Sequence, residues 1–251
     1  MADTQKTVEE LMAEPSCSGC KNFAKGVLLV EGKNDRNVIY QLCKARQFIK
    51  EDSTSDCNLY KKDNKWIGFC LFECGGVDKT LKELNRLIVR FSDRTSRPDK
   101  IGVVLDTDAN LDKVWVRVTK LLKDYDYLLP KDPNPAGTVI DGAKHLPKIG
   151  VWFMPDNKNP GMIEDFIIDS DMFDFNSLTL TCKCVENAEK EGITTFKENQ
   201  RSKAIVHTFL AWQDKPGDVL SWHIQKNKIK PNSENGEAFR NWLTRLFIDE
   251  P

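Results

Sequence analysis

Apolar and polar positions along this chain follow two rhythms. Short, largely apolar runs at Val27–Val30, Trp66–Leu71, Ile101–Leu105 and Ile149–Met154 read as buried strands. Between them apolar residues recur at helical spacing. One set is Val38, Ile39, Leu42 and Cys43, a second is Val77, Leu81, Leu84, Leu87, Ile88 and Phe91, and a third is Leu111, Val114, Trp115, Val118 and Leu122. Asn34 or Asp35 can cap the first helix, and Gly75-Gly76 breaks the chain before the second. Cys57–Lys65 reads as a polar insertion, Arg94–Lys100 as a loop, and Pro130–Gly142 as a loop or short hairpin. The alternation predicts βαβ units in an α/β, Rossmann-like fold, with a mostly parallel sheet flanked by helices.

Residues 1 to about 25 carry no convincing strand and read as a tail or a loosely docked helix. Beyond Ser170 the pattern turns helical. Ala204, Ile205, Thr208, Phe209 and Trp212 make one stripe, and Val206, Leu210 and Ala211 lie on the other side. A helix apolar nearly all round is a buried one, which makes Lys203 and His207 partly buried polar exceptions. Phe239, Trp242, Leu243, Leu246 and Phe247 predict a last helix that docks on the rest. The organisation is then a tail over 1–25, an α/β domain over 26–170, and a helical extension over 171–251 packed on that domain.

With 251 residues the chain is long enough for a well-buried core. Lys+Arg 37 against Asp+Glu 38 leaves a net charge of -1, so nucleic-acid binding needs a local basic patch or a metal bridge. No apolar stretch reaches the roughly 20 residues that span a bilayer, and Met1–Glu14 lacks the pattern of a signal peptide. A cytoplasmic protein is the expectation. Cys17-x-x-Cys20 and Cys182-x-Cys184 have spacings that zinc can use, but neither pair has a second pair nearby. Unpaired thiols are the better reading of the cysteines.

Three strand runs end in carboxylate. Val30 is followed by Glu31, Leu105 by Asp106-Thr107-Asp108, and the Ile149 strand by a segment that leads to Glu164-Asp165. Open α/β sheets bind ligands at the carboxyl ends of their strands, so these acids can converge, and a divalent cation is the natural partner for converging carboxylates. The spacing of Asp106 and Asp108 puts both side chains on one side of a strand end. Each acid also has a plainer reading. Glu31 can complement the dipole of the helix after it, Asp108 through Asn110 can cap the next helix, and Glu164-Asp165 can serve a helix start. Asp156 can cap its turn, and His145 and Lys148 read as surface residues. Glu164 or Asp165 can act as a further metal ligand or as general base. Lys203 can neutralise charge on a phosphate, and His207 can orient a ligand or carry a proton. Both also read as ordinary polar residues on a partly exposed helix face.

Val30-Glu31-Gly32-Lys33-Asn34-Asp35 and Asp106-Thr107-Asp108 resemble the two signatures of the Toprim domain, found in topoisomerases, primases and overcoming-lysogenization-defect nucleases. The resemblance covers roughly residues 25 to 170. It implies a compact parallel α/β sheet that binds Mg²⁺ or Mn²⁺, with Glu31 as general acid/base or ligand and Asp106 and Asp108 as metal ligands. A group of small stand-alone Toprim-like proteins, similar to the nuclease halves of phage-defence proteins, is closer still. Met154-Pro155-Asp156-Asn157, Pro160-Gly161, Glu164-Asp165 and Lys203-Ala204…His207 match its recurring segments. The chain lacks any evident tyrosine-nucleophile, zinc-binding primase or ATPase domain, so DNA relaxation and primer synthesis are not expected of it alone.

The expectation is a divalent-metal-dependent phosphodiesterase, a DNA or RNA nuclease of Toprim type acting in phage defence. Glu31, Asp106, Asp108 and Glu164 hold one or two cations in this reading, and Asp165, Lys203 and His207 assist. The alternative is a catalytically silent Toprim-like module that binds nucleic acid or a partner protein such as an ATPase. Action on a small phosphorylated molecule is a third reading. A homo-oligomer is compatible with each.

Overall fold

The computed structural model describes residues 24–45, 57–62, 65–90, 99–143, 146–169, 174–226 and 234–248. In chain order the elements begin with β1 (Ala24–Val30), α1 (Lys33–Ala45), β2 (Cys57–Lys62), β3 (Lys65–Glu73) and α2 (Val77–Arg90). Then come β4 (Lys100–Leu105), α3 (Leu111–Lys123), β5 (Thr138–Ile140), β6 (Lys148–Phe153) and α4 (Ile163–Asp169). Helix α5 (Phe175–Lys190), a 3₁₀ turn (Glu198–Gln200), α6 (Arg201–Ala211), α7 (Leu220–Gln225) and α8 (Glu234–Phe247) complete the described chain.

The strands form one six-stranded sheet in the order β2-β3-β1-β4-β6-β5. The four central strands are mutually parallel, and an antiparallel strand closes each edge. The apolar runs are continuous because helices cover both faces, so residues pointing either way are buried. In β1, Leu28 and Val30 point to a core shared with α1, α4, α6, α7 and α8. Val27 and Leu29 point to a second core shared with α2 and α3. The expected α/β class with a mostly parallel, helix-flanked sheet is what the chain adopts.

Two expectations need correction. Cys57–Lys65 is not a bare insertion, because β2 pairs antiparallel with β3 from Cys57↔Cys70 to Lys62↔Lys65. Its polar, lysine-bearing sequence suits a sheet edge, where few apolar contacts are available to mark a strand. Helix α6 is not buried all round. Ile205, Val206, Phe209 and Leu210 are buried, whereas Lys203, His207, Ala211 and Trp212 are exposed.

The C-terminal helix lies directly on the sheet. The Phe247 ring stacks on Phe69 with centroids 4.6 Å apart, and Trp242 meets Trp152 at 5.7 Å. Trp242 Nε1 donates to the Thr138 carbonyl at 3.1 Å. The close approach depends on Gly150, where an added Cβ would fall 2.4 Å from Leu246 Cδ2. Among the described residues no helix is long and apolar enough to cross a membrane.

Candidate functional site: an acidic cavity at the strand ends

Strands β1 and β4 are neighbours, but their following helices leave to opposite faces, α1 to one core and α3 to the other. That divergence opens a crevice at their carboxyl ends, the usual ligand position in an open α/β sheet. A cavity of about 440 Å³ occupies it. Asp35, Asp106, Asp108 and Glu164 form its acidic wall, and Lys33, Asn199, Gln200 and Lys203 its basic and amide wall.

Glu31 stands just behind the acidic wall. Its carboxylate accepts the Asp106 backbone N–H at 2.8 Å and is also hydrogen-bonded by the Val77 backbone. Its own carbonyl accepts from Gly75 and Gly76 at 2.7 and 3.0 Å. Glu31 thus ties together the exits of β1, β3 and β4. The helix start it meets is that of α2, not that of the helix following it in sequence. Burial, ahead of the Asp35 and Asp108 charges, pushes its pKa up to about 7.

Asp106 and Asp108 lie on a turn clamped by Thr107. The Thr107 hydroxyl donates to the Met154 carbonyl at 3.0 Å and accepts from the Gly161 N–H at 2.8 Å. The Thr107 and Asp108 N–H groups donate to the Gly161 carbonyl at 2.8 and 3.0 Å. The β4 exit is therefore fixed to the segment that leads into α4 and delivers Glu164. The α3 cap belongs to Asn110, whose side chain accepts from the Lys113 N–H, so Asp108 is left exposed at the cavity. Burial raises the Asp106 pKa well above the carboxylate range, reinforced by Asp35, Glu31, Glu164 and Asp108 in turn.

Glu164 is only 4% exposed, and its Oε1 lies 3.8 Å from Lys203 Nζ. Asp165 and His207 are not part of the cavity lining. Asp165 instead accepts from the Met162 N–H at 2.8 Å and from the Ser202 hydroxyl. His207 is exposed on α6, one turn beyond Lys203. Asp156 caps its turn by accepting from the Lys158 and Asn159 backbones. Lys148 pairs with Asp141 at 3.1 Å, and His145 lies outside the described residues.

Sequence reasoning left Asp35 among the cap candidates. It is 8% exposed, lines the cavity, and faces Glu164, whose charge adds to burial in raising its pKa to about 6. The available signal was spacing. Asp35 comes four residues after Glu31, so the first turn of α1 brings it back over the strand end. Gly32 makes room, because a Cβ there would lie 2.8 Å from Asp35 Oδ2.

Among the described residues no group of three or more His, Cys, Asp or Glu side chains is arranged to hold a metal ion as it stands. The donor set is nonetheless all carboxylate, the set that hard cations prefer, and its members destabilise one another's charge. Cys182 and Cys184 sit two apart on α5, a spacing that turns helical side chains away from each other. Cys17 and Cys20 lie outside the described residues.

No curated protein and no solved structure matches the chain. Residues 25–248 match the family model described as "Protein of unknown function (DUF3226)". That span takes in the whole acidic cavity, and the chain belongs to the DUF3226 family.

Proposed function

We propose that this chain is a divalent-metal-dependent phosphodiesterase of Toprim type that cleaves DNA or RNA. The observation that carries the reading is the gathering of Asp35, Asp106, Asp108 and Glu164 on one wall of the strand-end cavity, with Glu31 bonded behind Asp106. These carboxylates are the residues that would hold Mg²⁺ or Mn²⁺. Such a cation, when bound, would orient a scissile phosphate and lower the pKa of the attacking water.

The remaining work falls to the chain itself. Glu31, which burial raises to about 7 in the metal-free chain, is the proton carrier of this reading, acting from behind Asp106. Lys203 faces the acidic wall across 3.8 Å and offers a positive charge to a phosphate oxygen. Lys33 and the carboxamides of Asn199 and Gln200 line the same cavity and add donors to it. Thr107 holds the β4 and α4 acids at a fixed separation.

The competing reading is a catalytically silent module that binds nucleic acid or a partner ATPase. The net charge of -1 favours it, because a free-standing nuclease gains from a basic groove. A partner that grips the nucleic acid reconciles the two readings and fits a cytoplasmic role in phage defence. Incubation with plasmid, single-stranded DNA and RNA in Mg²⁺ and in Mn²⁺ tests the proposal. Cleavage that Asp106→Asn abolishes supports it. Cleavage unchanged in Asp106→Asn removes the acidic cavity as its source.

A further inference from the structure

Asp165 stands one residue after Glu164, and Ser202 one residue before Lys203. The Ser202 hydroxyl donates to Asp165 Oδ1, alongside the pairing of Lys203 with Glu164. Two neighbouring rungs therefore join the first turn of α4 to the first turn of α6. The inner rung faces the cavity and the outer rung lies outside its lining.

The inner rung cannot hold itself. Lys203 is half exposed, and an exposed ion pair at 3.8 Å contributes little ordering. Arg201, the first residue of α6, holds that end to α5 through its Nε, which donates to both Glu189 oxygens at 3.0 Å. Gln200 adds no side-chain capping bond, and nothing in the Arg201 contact ties the Lys203 turn to α4. The outer rung has better credentials. Its acceptor is a carboxylate, which makes a stronger hydrogen bond than a neutral group does. Asp165 is itself anchored, because its second oxygen accepts from the Met162 N–H at 2.8 Å. The adjoining Gly161 carbonyl accepts from Thr107 and Asp108. A bonded path thus runs from Ser202 through Asp165 to the turn that carries Asp106 and Asp108.

We infer that Asp165 is a positioning residue: through Ser202 it fixes the first turn of α6 and so sets where Lys203 stands across the acidic wall. Asp165 does not meet the substrate. Lys203 meeting a phosphate rests on the phosphodiesterase reading, whereas the placement of Lys203 by Asp165 does not, and the two can fail separately.

The test is acylation of lysine amines in the full chain, read residue by residue by mass spectrometry. It compares the wild type with Ser202→Ala, Ser202→Thr and Asp165→Asn. Lys113 and Lys120 on α3, over the opposite face of the sheet, serve as internal references. Losing the outer rung should raise Lys203 labelling several-fold in Ser202→Ala and Asp165→Asn, with the references unchanged. Ser202→Thr, which keeps a hydroxyl, should restore the wild-type rate. Unchanged Lys203 labelling in a cooperatively melting Ser202→Ala overturns the inference, as does Ser202→Thr behaving like Ser202→Ala. If Asp165→Asn does not fold, the two Ser202 variants decide.

A kinetic arm applies where the wild type cleaves. Ser202→Ala should lower kcat/KM alone and add nothing in a Lys203→Ala background, because the outer rung acts through Lys203. Additive losses would contradict the positioning role. A wild type without cleavage would count against the phosphodiesterase reading alone, and the labelling result would still stand.

Discussion

The Glu31 carboxylate accepts the backbone N–H of Asp106 across 2.8 Å, joining two parallel strand exits 75 residues apart in sequence. The bond makes one acid both a structural tie and a member of the charged site. It also places Glu31 where burial and the charges of Asp35 and Asp108 disfavour its ionised form. Much of the behaviour expected of this protein follows from that conflict.

Stability should depend on pH in a direction set by the raised pKa values. Glu31 rises from 4.5 to about 7 and Asp35 from 3.8 to about 6 on folding. Across that window the folded chain binds more protons than the unfolded chain, so these two groups lower stability as pH rises. A divalent cation relieves the same charges and should bind more tightly as they ionise. Thermal melts in Mg²⁺ and in chelator should therefore diverge progressively from pH 4.5 to 8. A constant gap would mean that the acids and the metal are not linked.

Asp106→Asn removes one of several mutually repelling carboxylates while keeping the side chain's shape. In chelator it should melt no lower than wild type. Relief of about 1 kcal/mol would raise Tm by about 2–4 °C in a chain of this size. In Mg²⁺ the metal-dependent gain should vanish. A large drop in Tm under chelator would show that Asp106 is chiefly a structural acceptor.

Thr107→Val keeps the shape of a 3% exposed side chain but leaves the Gly161 N–H and the Met154 carbonyl without their hydroxyl partner. The cost should be about 1–3 kcal/mol in denaturant unfolding. Metal affinity should fall as well, because Glu164 is no longer held to the Asp106 turn. Loss of stability with unchanged metal affinity would separate the clamp from the site.

Phe247→Ala tests whether α8 is integral to the fold. The ring is stacked on Phe69 and buried under the sheet, so truncation should cost about 3–5 kcal/mol. Chemical denaturation should show one cooperative transition at lower midpoint. A separate early transition would mean that α8 comes off the sheet independently.

Much of this architecture could be read from residues alone because the central strands are buried on both faces. Val27–Val30 and Ile101–Leu105 have no polar residue to disguise them, and the acids after each run mark where burial stops. The β2 strand was illegible because it is an edge, held by backbone pairing to β3 more than by an apolar pattern. The exposed face of α6 was hidden for the opposite reason. Ala211 and Trp212 look like core residues in sequence, yet α6 packs against α4 and α5 on one side only and leaves these two exposed. Asp106, Asp108 and Glu164 are legible because each follows a strand end, and Lys203 only through the Lys203-Ala204…His207 segment of the Toprim-like resemblance; all four line the cavity. For Asp35 the spacing of four from Glu31 brings it near the strand end but does not settle its role, since a first-turn acid has the same local signature whether it caps a helix or faces a neighbouring carboxylate. Only the third dimension, which sets it against Glu164, separates the two.

The most direct test of the acidic cavity is calorimetric titration of Mg²⁺ and Mn²⁺ into wild type and into a Glu31→Gln, Asp106→Asn double variant. The account predicts saturable binding to wild type that tightens from pH 6 to pH 8 while the accompanying proton release falls, because Glu31 and Asp35 are already ionised at pH 8, and no binding to the variant. Equal binding to both proteins, or none to wild type with nucleic acid present, would contradict it.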